Sequence, residues 1–252
     1  MRLLFVVVVL FVASPLLQRL VPLSQEGGYH AFADDRTWQG IPNAALVLSN
    51  IPIFLAGLAC LIWVLGPRAT PKRLVPGLVV AGVGLMLTCI GSAYYHYAPS
   101  DQTLVWDRFP LAIVFAGVLL TAWGGCTGAQ GPSRLDTVVL VIASVGSVMY
   151  WVRWGSLWPY AVLQFGGLAT LLYLAVTKRL AGGRAWWGLL VLYVLAKLFE
   201  LLDDQIWALT QHLVSGHALK HLMSAAAGFC LVWVVARAKT EHAHMPPLGQ
   251  GA

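Results

Sequence analysis

The sequence predicts an all-α integral membrane protein: a seven-helix transmembrane bundle with one extra apolar helix at the N-terminus. Composition is the first sign. Of 252 residues, 59% are hydrophobic and only 10% are charged, where a soluble domain carries about 25% charged residues. Spacing is the second. Apolar runs of the length that crosses hydrocarbon, about twenty residues, follow one another along the chain with short polar breaks. The distribution of charge is the third. The net charge of +6 would suit nucleic acid on its own, but the basic residues lie in short loops between apolar runs, which is a topology signal and not a binding face.

The first run, Leu3 to Leu23, follows Arg2 and is interrupted by Arg19. It reads as a retained anchor with Arg19 reaching the far interface, or as a signal peptide with a weak Val12-Ala13-Ser14 cleavage site; the anchor is preferred. Residues 24–43 form a polar segment with Asp34, Asp35, Arg36 and Asn43, too polar for lipid. The seven-helix domain then covers 44–236. Its runs are about Ala44 to Leu65, Leu74 to Tyr95, Asp107 to Trp123, Leu135 to Val152, Leu157 to Thr177, Ala185 to Leu209 and Gly216 to Val235. Residues 237–252 read as a disordered cytoplasmic tail. Cys60, Cys89, Cys126 and Cys230 form no CxxC pair and read as small buried hydrophobes. Trp151, Trp154, Trp158 and the Trp186-Trp187 pair read as interfacial anchors.

The loops expected on one side carry Arg2, Arg68, Lys72, Arg73, Arg134, Lys178, Arg179, Arg184, Arg237 and Lys239. The other side shows only Arg19, Arg36, Arg108 and Arg153. Positive charge marks the cytoplasmic side, so both termini are expected there if the first run is retained. Three polar points then fall at similar depth near the opposite face. Ser92 and His96 end an outward span, Asp107 starts the return, and His217 and His221 start the last inward span.

Ionisable groups inside spans are costly and default to function. His217 and His221 are four apart and share a helix face, as do Ser92 and His96. Three histidines from two helices would give a catalytic zinc its nitrogen ligands and leave one position open for water. The plainer alternatives are that His217 only starts the last helix, that Asp107 is an N-cap before Pro110, and that Ser92 bonds its own backbone. Farther along, Lys197, Glu200 and Asp204 recur at helical spacing, so Lys197 and Glu200 are expected to pair. Glu200, Asp203 and Asp204 are candidates to support the site from behind, where a carboxylate can orient a ligand histidine.

Ser92-Ala-Tyr-Tyr-His96, then Trp106-Asp-Arg-Phe-Pro110, then Gly216-His-Ala-Leu-Lys-His221 resemble the signature of the alkaline ceramidase family. That family is one branch of a seven-span group that includes the progestin and adipoQ receptors, and the likeness covers nearly all of the chain after the first run. It implies zinc on His96, His217 and His221. It also implies Asp107 acting on the zinc-bound water as base and acid, and Ser92 steadying the developing oxyanion. The implied reaction is hydrolysis of the N-acyl amide of a ceramide-like lipid to a fatty acid and a sphingoid base.

The chain departs from that pattern in the polar segment. Eukaryotic members carry a calcium-binding acidic stretch there. Here Ser49-Asn50 match its end, Asn43 stands where the family has glutamate, and Asp34 and Asp35 are the nearest acids. Asp34, Asp35 and Asn43 are therefore the candidate calcium ligands, fewer oxygens than calcium takes, and the likeness is to a divergent bacterial-type branch. The expected partners are a lipid amide substrate and membrane lipids, with no nucleic acid and no obligate protein partner. The competing function is a non-enzymatic seven-span receptor or membrane regulator with a structural zinc. A transporter is disfavoured because no internal repeat or paired broken helices are visible in the sequence.

Overall fold

A computed structural model describes residues 2–67, 70–126 and 131–243 of the chain. The fold is helical: among the described residues there is no strand, only two isolated bridges, Trp38 with Ile41 and Cys126 with Leu180. The helices are α1 (Arg2–Leu20), α2 (Ala44–Leu48), α3 (Ile51–Leu65), α4 (Val75–Tyr97), α5 (Asp101–Gly125), α6 (Arg134–Trp154), α7 (Trp158–Ala161), α8 (Gly167–Val176), α9 (Arg184–Leu201), α10 (Asp203–Leu209) and α11 (Gly216–Ala243). A π-helical turn at Val162–Gly166 joins α7 to α8. Among the described residues, six spans are long and apolar enough to cross a membrane, or seven if the bent pair α9–α10 is one span. That is the helix content of a multi-pass membrane protein.

Local chemistry sets the helix ends. Ser100 caps α5 by accepting the Thr103 N–H at 3.2 Å, and Asp101 occupies the first turn, where a carboxylate meets the positive end of the helix dipole. Asp107 therefore lies inside the helix, and the expectation that it serves as an N-cap is corrected. Ser133 and Asp136 close a reciprocal capping box on α6. Gly155 ends that helix in the left-handed region, at φ 69°, which glycine enters without a Cβ clash.

Two further expectations change. The run from Ala185 to Leu209 is not one straight helix: it breaks at Leu202, and α9 and α10 meet at 81°. The tail expected to be disordered from 237 is helical through Ala243; residues 244–252 lie outside the described residues, as does Arg68 of the basic loop.

The principal packing is α4 on α5. Gly77, Gly84 and Gly91 recur every seven residues on α4 and face α5. A Cβ on Gly77 would lie 2.3 Å from the Thr121 nitrogen, one on Gly84 2.9 Å from the Val114 nitrogen, and one on Gly91 1.9 Å from the Trp106 carbonyl oxygen. Small residues let membrane helices approach this closely. Trp106 is four residues before Pro110, which has no N–H to give it, so this carbonyl loses its helical partner and faces Gly91 instead.

A Gly91→Ala substitution should therefore force α4 and α5 apart, at a cost of about 1–3 kcal/mol for an overpacked contact. Thermal unfolding in detergent checks this: Tm should fall, whereas Gly28→Ala, with open space around its Cβ position, should leave Tm in place.

Candidate metal centre

His96 sits in the last turn of α4, and His217 and His221 in the first two turns of α11. Their side chains converge. All three are buried, and one ring nitrogen from each lies within 4.8 Å of the other two. The ring centroids are 4.8 to 5.1 Å apart. Among the described residues this is the group of histidine, cysteine and carboxylate side chains that could hold a metal ion.

The surroundings fit a metal. Ser49 donates to the Leu46 carbonyl at 3.1 Å and lies 2.7 Å from His221 Nδ1. A hydroxyl has one proton, so with that proton on Leu46 it accepts from Nδ1–H, which leaves the Nε2 lone pair of His221 for a ligand. His96 Nδ1 is buried and has no hydrogen-bond partner, an unusual state for a polar atom that coordination would relieve. Neutral imidazoles in a buried setting are good ligands for zinc and similar transition metals. One contact must change: Lys220 Nζ lies 3.2 Å from His217 Nε2. A metal at that nitrogen would shift the ammonium fully onto Glu200, which already accepts it at 2.5 Å.

The backbone is held as firmly as the rings. Asp203, at the start of α10, accepts the backbone N–H of His217 at 2.7 Å and that of Ala33 at 3.1 Å. The α9–α10 break puts it there. Gly216 permits the approach, since a Cβ at that position would lie 2.2 Å from the Phe199 carbonyl and 2.8 Å from the Asp203 Cα. Asn43, in the left-handed region at φ 46°, makes no capping bond to α2; its amide donates to the His96 carbonyl at 2.8 Å.

The polar segment folds over the cluster. Phe32 sets its ring edge-on to His96 and His217, with centroids 4.8 and 5.0 Å away. His30 reaches the Tyr95 hydroxyl at 3.0 Å and Asp101 at 3.2 Å. Asp34 is buried and gives both carboxylate oxygens to Arg36, each at 2.7 Å; calcium at Asp34 would have to break that pair. Arg36 also donates to the His212 carbonyl and lies over Trp207. The adjoining carboxylate holds this guanidinium above its usual range, so the clasp stays charged at any ordinary pH. Asp35 is exposed.

Ser92 is buried on α4, and Asp107 stands on the facing helix α5, its backbone nitrogen 3.4 Å from where a Cβ on Gly91 would lie. Asp107 is not part of the three-histidine group. Glu200 pairs with Lys197 at 2.6 Å as expected, and also with Lys220. Tyr29 donates to it at 3.4 Å; burial foremost, and then the charge of Glu200, raise the Tyr29 phenol, so it remains a donor. Asp203 supports the site through the backbone of His217 and not through its ring, and Asp204 is exposed. Ser49 as a partner of His221 was not foreseen from the sequence, and neither were Lys220, Phe32 and Tyr29. Only Lys220 carried a visible signal, a lone ammonium within an apolar run.

Purified protein should hold about one transition-metal ion per chain, as a three-histidine site does. His96→Ala, His217→Ala and His221→Ala should each abolish it by elemental analysis. Ser49→Ala keeps all three ligands but frees one ring, and should weaken the metal by about 10- to 100-fold in a chelator competition.

Comparison with family models, characterised proteins and solved structures gave no match to this chain. The site therefore stands on its own geometry.

Proposed function

We propose that the chain is a zinc-dependent amidase of the alkaline ceramidase type, cleaving the N-acyl amide bond of lipids from within the membrane. The observation that carries this is a buried three-histidine cluster with Ser92 one turn before His96 on the same face of α4 and Asp107 on the facing helix α5. A metal that only staples the fold has no use for Ser92 and Asp107. A second feature supports a lipid substrate. An apolar cavity between α5, α8, α9 and α11, walled by Leu111, Val118, Leu168, Leu189 and Leu231, reaches Lys220 beside the histidines. Such an apolar lining suits an acyl chain.

Zinc at the three histidines would polarise the amide carbonyl and make water acidic enough to attack near neutral pH. This chain's own groups then divide the proton work. Asp107 takes a proton as water adds to the carbonyl carbon, and returns it to the nitrogen as the C–N bond breaks. The acyl group leaves as a fatty acid and the nitrogen as an amine. Ser92 holds the Asp107 carboxyl on the reacting side, and its hydroxyl can turn to the oxygen that becomes anionic. The orientation that the loop charges favour puts both termini in the cytoplasm and the centre near the opposite face.

The decisive experiment is release of fatty acid from a panel of N-acyl lipids by detergent-purified protein. Asp107→Ala should lower kcat by about 10²–10⁴-fold, the usual worth of a general acid–base, while metal content and Tm stay near those of the parent. Chelation should stop release and added zinc restore it. A protein that holds its metal yet cleaves no amide would instead be the receptor or regulator, a role that the cover of Phe32 over the cluster would suit.

A further inference from the structure

Arg108 is a buried cation that the mechanism leaves unused. It follows Asp107 on α5, and its side chain turns into the fold, where the residue is 7% exposed. Three aromatic rings enclose the guanidinium: Trp151 at 4.4 Å, Tyr29 at 5.5 Å and Tyr160 at 5.7 Å. Its Nη2 donates to the Gln25 side-chain oxygen. Its Nη1 is buried and has no partner. Among the described residues no carboxylate lies within ion-pair distance of it; the ion pairs belong to His30, Arg36, Lys197 and Lys220.

A guanidinium does not escape such a position by losing its proton. Aromatic faces offset part of the burial, and a neutral amide satisfies one arm of the fork. The other arm is an unmet donor in a water-poor setting, which is costly. The partner that such a fork fits best is a planar or tetrahedral anion taking Nη1 and Nη2 together, with Gln25 giving way.

Placement says which part of a substrate would bring that anion. The apolar cavity lies on the α8, α9 and α11 side of α5. Arg108 lies on the other side, among α6, α7 and the polar segment that supplies Gln25 and Tyr29. Tyr29 links the two regions, since its ring meets Arg108 and its hydroxyl meets Glu200, which holds Lys220 beside His217. A lipid amide with its acyl chain in the cavity and its carbonyl at the histidines would point its amine portion toward Arg108. We propose that Arg108 is a specificity-determining residue that reads an anionic group, carboxylate or phosphate, on the amine portion of the substrate, so that the preferred amides are N-acyl amines with a negatively charged head and not neutral ceramides. This rests on the amidase reading for its catalytic half only.

Two measurements on the full-length protein separate the halves. In the first, kcat/KM is compared for N-lauroylglycine and N-lauroylethanolamine, which share chain and amide and differ in charge. The parent should prefer the glycine conjugate by on the order of tenfold to a hundredfold, the range of a charge-assisted hydrogen bond. Arg108→Gln should collapse that ratio to about unity through KM, and Arg108→Lys should keep part of it. In the second, dodecyl phosphate and dodecanol are added to the protein in neutral nanodiscs. Dodecyl phosphate should raise Tm in the parent and in Gln25→Ala, but not in Arg108→Gln. Should the phosphate raise Tm through Arg108 while no amide is cleaved, the anion site stands and the amidase falls. Should neutral amides be cleaved with no preference for the charged head, or should dodecyl phosphate stabilise the parent no more than dodecanol, the proposal is overturned while the amidase stands. Should phosphatidylglycerol in the nanodisc give the same Arg108-dependent rise, bulk anionic lipid takes the position and the substrate assignment is overturned. Headgroup preference and the difference between dodecyl phosphate and dodecanol are both read on the parent protein, so an unstable Arg108 variant does not blunt the test.

Discussion

The structure depends first on one close approach, the Trp106 carbonyl of α5 against the Cα of Gly91 on α4. Pro110 deprives that carbonyl of its helical donor, and Gly91 has no Cβ to keep it away. The next residue along each helix is then placed by the same contact: Ser92 after Gly91, Asp107 after Trp106. The serine and the aspartate stand at facing positions because the two backbones meet. His96 lies one turn beyond Ser92 on the same face, so this packing also sets the height of the first histidine of the cluster. Gly84 and Gly77 extend the seam toward the other end of the bundle and hold the crossing in register.

A second approach brings in the other two histidines. The chain could have run α9 and α10 as one straight helix, but it bends at Leu202 and turns Asp203 back toward α11. There the carboxylate accepts N–H groups from His217 and from Ala33. The first turn of a helix has N–H groups without intrahelical partners, and at the end of an apolar bundle water cannot be relied on to serve them. Asp203 satisfies one and ties the polar segment down by the other. The same acid thus sets the height of His217 and seats the stretch that carries Phe32 over the rings. Gly216 is the permissive residue here, as Gly91 is on α4.

Much of this was legible in the sequence, and what was missed has a physical reason. Among the described residues, apolar run length marked the six spans that are long and apolar enough to cross, and the bent seventh, because a bilayer demands a fixed length of helix. The histidine triad was legible from i, i+4 spacing together with similar expected depth. The bend at Leu202 was not, since no proline or glycine marks it; it comes from tertiary bonds to Asp203 that hydropathy does not register. The start of α5 was misjudged because Asp-Gln-Thr looks like loop, while Ser100 is a good cap and draws the helix back to Asp101. The backbone partners of the site were invisible for a general reason. Asn43 bonding the His96 carbonyl and Asp203 bonding the His217 N–H are contacts of side chains with main chain, and they depend on where loops return, not on residue type.

The charged groups around the centre show how a low-dielectric site can be polar without being unstable. Glu200 accepts from Lys197, Lys220 and Tyr29, so one half-buried carboxylate neutralises one ammonium and shares a second. Ion pairs drawn away from water add little to stability, but breaking one strands a charge at high cost. The network is therefore better understood as fixing position: it holds Lys220 between Glu200 and His217, in the lining of the cavity. Among the described residues no carboxylate pairs with Arg108, which is enclosed by rings instead. Two cations at comparable depth, one matched by an acid and one left with an open donor, divide the surroundings of the histidines into a side closed by the protein and a side completed by a ligand.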